Sequence, residues 1–174
     1  MRRKGIILAG GQGTRLSPLT LSTSKQLLPV YNKPMIYYPL STLMMADITE
    51  ILIITTPRDI EKFKDLLGDG SQFGLKFSYI IQTEPRGLAD ALILGEEFLQ
   101  GHPSVLVLGD NIFFGSDFSK TISSISSDTE NACVFLSRVD HPENYGVAEI
   151  DYDKNSIVKI EEKPKVPNSN YAVT

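Results

Sequence analysis

The chain has 174 residues, 41% of them hydrophobic and 22% charged, with one cysteine and two histidines. Such a length suits one ordinary domain, and these fractions exclude disorder, collagen-like repeats and coiled coil. The net charge of −4 hides an asymmetry: no Asp or Glu precedes Asp47, so the first 46 residues carry +6 and the remainder −10.

A first strand is predicted over 4–9 (KGIILA), running into Gly10-Gly11. A helix is expected over about 35–46, then a second strand over 50–56 (EILIITT) stopped by Pro57. Ile60, Phe63, Leu66 and Leu67 fall on one helix face, and Gly68 is placed to end that helix. A third strand covers 76–82 (KFSYIIQ), and Leu88, Ala91, Leu92, Gly95, Phe98 and Leu99 form the next helical stripe. A fourth strand over 104–108 (SVLVL) ends at Gly109, and Phe118, Ile122 and Ile125 mark a Ser-rich surface helix. The run 132–139 (ACVFLSRV) reads as a fifth strand with Cys133 buried in it. Segments 145–152 and 156–162, separated by Asp153-Lys154-Asn155, read as antiparallel strands of a mixed sheet.

Strands alternating with helices imply an α/β fold with a mainly parallel sheet covered on both faces. Neither an internal repeat nor a linker divides the chain, so 1–174 is expected to be one domain. The strand-like ending Tyr171-Ala172-Val173-Thr174, with no closing element after it, reads as a domain truncated at its C-terminus. The apolar runs are far too short for a membrane span, and the basic start at Arg2 lacks the apolar region of a signal peptide. A cytoplasmic location without membrane or nucleic-acid partners is the resulting expectation, since no basic stripe recurs along the acidic remainder. Two histidines and one cysteine leave no structural zinc site, and no serine or cysteine pairs convincingly with either histidine.

Three segments can carry chemistry. Leu8-Ala-Gly-Gly-Gln-Gly-Thr-Arg-Leu16 follows the first strand, where glycines let backbone N–H groups approach phosphates. It is neither a P-loop, which needs a Gly-Lys-Ser/Thr ending, nor a dinucleotide fingerprint, whose third glycine is Leu16 here. A plain tight turn is the competing reading, countered by Arg15 and Lys25 close behind. Leu108-Gly-Asp-Asn111 puts the Asp110 carboxylate at a strand end, where it could take Mg²⁺ shared with substrate phosphates or close the strand as a turn. Glu161-Glu-Lys-Pro164, beside Tyr145-Gly146, could bind a sugar phosphate or be an exposed charged strand end.

Together these motifs resemble the signature of sugar-1-phosphate nucleotidylyltransferases. The resemblance rests on Gly10-Gly-Gln-Gly-Thr-Arg-Leu-Ser-Pro-Leu-Thr20, Ser24-Lys-Gln-Leu-Leu-Pro-Val30, the run 31–43, Leu67-Gly-Asp-Gly-Ser71, Leu108-Gly-Asp-Asn111 and Glu161-Glu-Lys-Pro164. Lys25-Gln26 is similar to the glucose-1-phosphate thymidylyltransferase branch. The resemblance spans the whole chain and implies a Rossmann-like three-layer fold with a mostly parallel mixed sheet. The family's chains continue beyond Thr174, carry a second metal aspartate there and are expected to be homo-oligomers.

Residue by residue, the resemblance implies that Leu8, Gly10, Gly11, Gly13 and Thr14 line a triphosphate. Arg15 and Lys25 would neutralise the pyrophosphate and act in catalysis. Gln82 and Gly87 would read thymine, with Pro85 and Leu88 beside them. Asp110 would hold Mg²⁺. Tyr145, Gly146, Glu162 and Val173 would take the glucose, and Lys163 its phosphate. The implied reaction turns dTTP and α-D-glucose 1-phosphate into dTDP-glucose and pyrophosphate, for deoxysugar synthesis such as the dTDP-rhamnose branch. The alternatives are a nucleotide-binding fragment without turnover, or a relative using UTP, CTP or GTP.

Overall fold

In chain order the elements are β1 (Lys4–Ala9), β2 (Pro29–Val30), β3 (Lys33–Pro34), α1 (Tyr37–Met45), β4 (Glu50–Thr55), α2 (Ile60–Leu67) and β5 (Lys76–Ile81). They continue with α3 (Leu88–Leu94), α4 (Glu96–Leu99), β6 (Ser104–Leu108), α5 (Phe118–Ser127), β7 (Leu136–Arg138), β8 (Gly146–Asp151), β9 (Ser156–Glu162) and β10 (Tyr171–Val173). This computed structural model describes residues 2–11, 13–84, 86–127, 131–154 and 156–173. They fall into two units, Met1–Thr129 and Glu130–Thr174.

The first unit is built on a four-stranded sheet in the order β5-β4-β1-β6. All three pairings are parallel, with Ile6 opposite both Leu52 and Leu106. Because side chains alternate along a strand, β1 serves two layers. Ile6 packs with Leu52, Ile54 and Ala91, flanked by Leu94, Phe98 and Leu99 of α3 and α4. The opposite side of the sheet meets α1: a Cβ on Gly5 would lie 2.8 Å from Leu43 and 3.2 Å from Ile48. Helices therefore cover both faces, as an α/β chain with near-continuous apolar strands requires.

The predicted helix over 88–99 breaks into α3 and α4 at Gly95. A side chain there would meet the Ala91 carbonyl and Ile6 Cδ1, both at 3.0 Å, so the backbone itself is what fits against the sheet. The buried face of this segment also differs from the predicted stripe. Leu88 and Leu92 are about half exposed, whereas Asp90 is buried beside Ala91.

The second unit is an antiparallel sheet in the order β7-β10-β8-β9, separate from the parallel one. Its core is Val147, Ala148 and Ala172, while every residue of β9 is exposed. The strand predicted over 132–139 is shorter than expected, since β7 covers only Leu136–Arg138. Its ladder pairs Leu136, Ser137 and Arg138 with Val173, Ala172 and Tyr171, and Cys133 lies outside it and is exposed, not buried. An apolar run gave the strand, but only backbone pairing could set its length. Among the described residues no helix is long and apolar enough to cross a membrane.

Candidate functional site

In open α/β sheets, ligands bind beyond the carboxyl ends of the strands. At that end of β1 the chain turns through Gly10 and Gly11 to Gly13, which sits in the left-handed region at φ +63°. Gly13 closes a tight turn by accepting from the Leu16 N–H at 2.9 Å, and the buried Thr20 hydroxyl donates to the same carbonyl at 2.9 Å. Short 3₁₀ turns at Thr14–Leu16, Leu19–Leu21 and Lys25–Leu27 carry the loop onward. Thr14 and Arg15 stand exposed on the first of them. Leu8 belongs to the strand: its side chain packs against the core cluster and its carbonyl accepts from the Gly109 N–H at 2.9 Å.

Lys25 ties this loop to the neighbouring strand end. Its aliphatic stem runs past Gly11 and Gly13, and its ammonium pairs with Asp110 Oδ2, just beyond β6. The Asp110 carboxylate is thus turned to a cation at the glycine loop. Gly109 lets the strand end approach closely, since a Cβ there would sit 2.9 Å from the buried Gln26 and 3.2 Å from the Leu8 carbonyl.

A buried carboxylate that the motifs do not single out anchors the loop from beneath. Asp59 is 1% exposed. It accepts from Arg58 Nη2 at 2.8 Å, Arg58 Nε at 3.0 Å, Lys62 Nζ at 3.1 Å and Thr56 Oγ1 at 3.2 Å. Arg58 also donates to the Thr20 carbonyl at 3.4 Å, and Lys62 donates to the Ser22 carbonyl. Burial pushes the Asp59 carboxyl up, but the hydrogen bonds and charges of Arg58 and Lys62 outweigh it and leave the group below its ordinary value of 3.8. From sequence, Asp59 reads as no more than a residue leading into α2. Only the fold brings residues 20–22 over it.

Gln82, just past β5, is buried and lies beside the glycine loop: a Cβ on Gly10 would be 2.6 Å from Gln82 Oε1. Gln82 Nε2 donates to Asp90 Oδ2 at 2.8 Å, and Arg86 donates to Asp90 Oδ1 at 2.7 Å. Gly87, at φ +94°, leads into α3 between them, and Leu88 is half exposed next to it. Pro85 lies outside the described residues.

The second unit gathers the other predicted residues. Gly146 pairs with Glu162 across β8 and β9, and a Cβ on Gly146 would sit 3.1 Å from Glu162 Oε2. The Lys163 N–H donates to the Tyr145 carbonyl at 2.9 Å, with Lys163 in the left-handed region at φ +46°. Lys163 Nζ lies 3.5 Å from Glu162 Oε1. Val173 ends β10, whose Ala172 pairs with Val147 next to Gly146. Tyr145, Glu162 and Lys163 are exposed.

Among the described residues no group of three or more His, Cys, Asp or Glu side chains is placed to hold a metal by itself. The chemistry of a single carboxylate at a strand end fits Mg²⁺, which takes one or two carboxylates and completes its octahedron with phosphate oxygens and water. Asp110, paired here with Lys25, is the carboxylate in that place.

The model of the nucleotidyl transferase family matches residues 4–174. The chain belongs to that family. Glucose-1-phosphate thymidylyltransferase of Neisseria meningitidis is 56% identical over 171 residues, covering 98% of this chain and 59% of its own length. The enzyme of the same name from Xanthomonas campestris is 55% identical over 173 residues, covering 99% and 58%. This nucleotidyl transferase chain therefore spans about three fifths of the length of the curated relatives it matches. Among solved structures, a Bacillus anthracis protein crystallised with sucrose superposes with a TM-score of 0.89 at 45% identity, over 99% of this chain and 69% of that one. A UDP-glucose pyrophosphorylase complexed with UDP-glucose superposes with a TM-score of 0.83 at 26% identity, over 99% and 74%. The nucleotidyl transferase fold thus agrees with the α/β architecture and parallel sheet expected from the strand and helix pattern.

Proposed function

We propose that this chain is the nucleotide-binding part of a glucose-1-phosphate thymidylyltransferase, acting on dTTP and α-D-glucose 1-phosphate with Mg²⁺. The observation that carries the reading is the meeting of the glycine loop, Lys25 and Asp110 at one end of the parallel sheet. The name shared by relatives at 50–56% identity supports the choice of substrates.

In the proposed reaction a phosphate oxygen of the sugar phosphate attacks the α-phosphorus of dTTP. A P–O bond forms there as the bond to the β-phosphate breaks, and pyrophosphate leaves with the electron pair. The attacking oxygen is already anionic, so no general base is needed, and the work is alignment and charge neutralisation. Gly10, Gly11, Gly13 and Thr14 present backbone to the triphosphate. Arg15 and Lys25 place positive charge along it. Asp110 would hold Mg²⁺, which supplies charge neutralisation at the phosphates when bound. Tyr145, Gly146, Glu162, Lys163 and Val173 take the sugar phosphate.

Titration calorimetry with dTTP and Mg²⁺ tests the nucleotide half. Arg15→Ala is expected to weaken dTTP about tenfold, the scale of one charge-assisted hydrogen bond on an exposed side chain. Gln82→Ala is expected to weaken dTTP while leaving inorganic tripolyphosphate unaffected. Tighter binding of UTP, CTP or GTP than of dTTP would assign the chain to another nucleotide. Binding without pyrophosphate release would make it a nucleotide-binding module.

A further inference from the structure

We propose that Asp90 is a positioning residue that sets the choice of base by fixing which way round the Gln82 amide lies. This rests on the reading above that Gln82 meets the base. A glutamine amide has an acceptor end and a donor end of nearly the same shape, and its neighbours decide which end goes where. Asp90 is 5% exposed and offers Gln82 only carboxylate oxygens. Its Oδ1 accepts from Arg86 and its Oδ2 from Gln82 Nε2. Gln82 Oε1 is thereby turned away from Asp90 and toward Gly10. Among the described residues none donates to Oε1, which lies against Gly10 at the start of the glycine loop.

The consequence is a reading head with a fixed polarity. One Nε2 hydrogen is taken by Asp90. What remains is the Oε1 acceptor beside the second Nε2 hydrogen. That pair complements a ring N–H beside a carbonyl, which is the N3–H and O4 edge of thymine or uracil. Cytosine presents the reverse, an unprotonated N3 beside an amino group. Turning the amide over would reverse its polarity and suit cytosine instead. Asp90 forbids that turn, because Oε1 would then face a carboxylate oxygen with no hydrogen between them. The lock thus rejects cytosine through unmade hydrogen bonds, the strongest form of discrimination a polar pocket has.

The test compares dTTP and dCTP binding by calorimetry in the full 174-residue chain. Asp90→Leu removes the acceptor, and Asp90→Asn keeps the shape but can donate as well as accept. Both are expected to reduce the dTTP-over-dCTP affinity ratio about tenfold, the value of one well-made hydrogen bond. Inorganic tripolyphosphate should bind all variants alike. In the absence of nucleotide, the Gln82 side-chain amide signals in a ¹⁵N spectrum should show one protected Nε2 proton in the parent and lose that protection in both variants. If Asp90→Leu does not fold, Asp90→Asn decides alone. An unchanged ratio in the Asp90 variants, with the ratio collapsed in Gln82→Ala, would overturn the lock and leave base reading by Gln82 standing. An unchanged ratio in Gln82→Ala would remove the base reading, and the lock with it. Loss of tripolyphosphate binding in the Asp90 variants would mean that Asp90 merely supports the loop, which also overturns the proposal.

Discussion

Gly13→Val is expected to weaken dTTP binding about 100-fold while leaving the parallel sheet intact. Gly13 holds φ +63°, a region that costs a non-glycine residue about 1–2 kcal/mol and a β-branched one more. A Cβ there would also lie 2.9 Å from Thr20 Cγ2 and 3.2 Å from Lys25 Cβ. Neither neighbour yields easily: Thr20 is buried and bonded to the Gly13 carbonyl, and Lys25 Cβ is the root of its side chain. Overpacking of this kind adds about 1–3 kcal/mol, so roughly 3 kcal/mol opposes the native loop. The loop relaxes instead, and the backbone proposed to meet the triphosphate moves out of place. Gly74→Val is the control, with φ +69° and nothing within 4 Å, on a turn remote in sequence from the loop. It should lower stability through backbone strain and leave dTTP affinity unchanged. Calorimetry and urea unfolding of both variants decide the matter. Parent-like affinity in Gly13→Val would mean that this turn does not shape the phosphate site.

How much of this was legible beforehand depends on the kind of signal. Apolar runs such as 4–9 and 50–56 became β1 and β4 nearly as bounded, because a strand buried on both faces has no other way to look. That the glycine loop and Asp110 stand at strand ends was readable from the apolar runs before them, and the structure brings Lys25 to Asp110 beside that loop. Asp59 and Asp90 were not readable. Each is a lone acid in or near a helix, and such acids are usually solvated. Their direct partners are near in sequence, Thr56, Arg58 and Lys62 for Asp59 and Arg86 and Gln82 for Asp90, and would look like ordinary surface pairs. What only the fold supplies is their burial and, for Asp59, the Thr20 and Ser22 carbonyls that Arg58 and Lys62 also reach. The predicted stripe over 88–99 held at Ala91, Gly95, Phe98 and Leu99 and failed at Leu88 and Leu92. It counted Leu88 and Leu92 as core because they are apolar, while the buried place was filled by a carboxylate already supplied with donors.

Asp59→Ala is expected to lower stability by about 2 kcal/mol at pH 7 and to loosen the loop that carries Arg15 and Lys25. Hydrogen bonds to a charged group contribute about 1.5–3 kcal/mol, discounted here because Arg58 and Lys62 are nearly half exposed and regain water when released. The pH dependence identifies the cause. The folded carboxyl is held below its ordinary 3.8, so the unfolded chain binds the proton more readily. The carboxylate's stabilising contribution is therefore complete above about pH 4–5 and is lost as pH falls through the folded value. Parent and Asp59→Ala should differ most near neutrality and converge in acid, as seen by urea unfolding at pH 7 and pH 3. A constant gap across that range would assign the effect to lost packing and not to charge. The same latch has a functional consequence. Arg58 and Lys62, held by Asp59, grip the carbonyls of Thr20 and Ser22, and Thr20 in turn grips Gly13. Releasing the two cations should therefore weaken dTTP at pH 7, where the fold persists. Arg58→Met should reproduce part of that loss, because it removes the grip on Thr20 but leaves Lys62 on Asp59 and Ser22. If dTTP affinity is unmoved in both variants, the loop holds its own shape and Asp59 acts on stability alone.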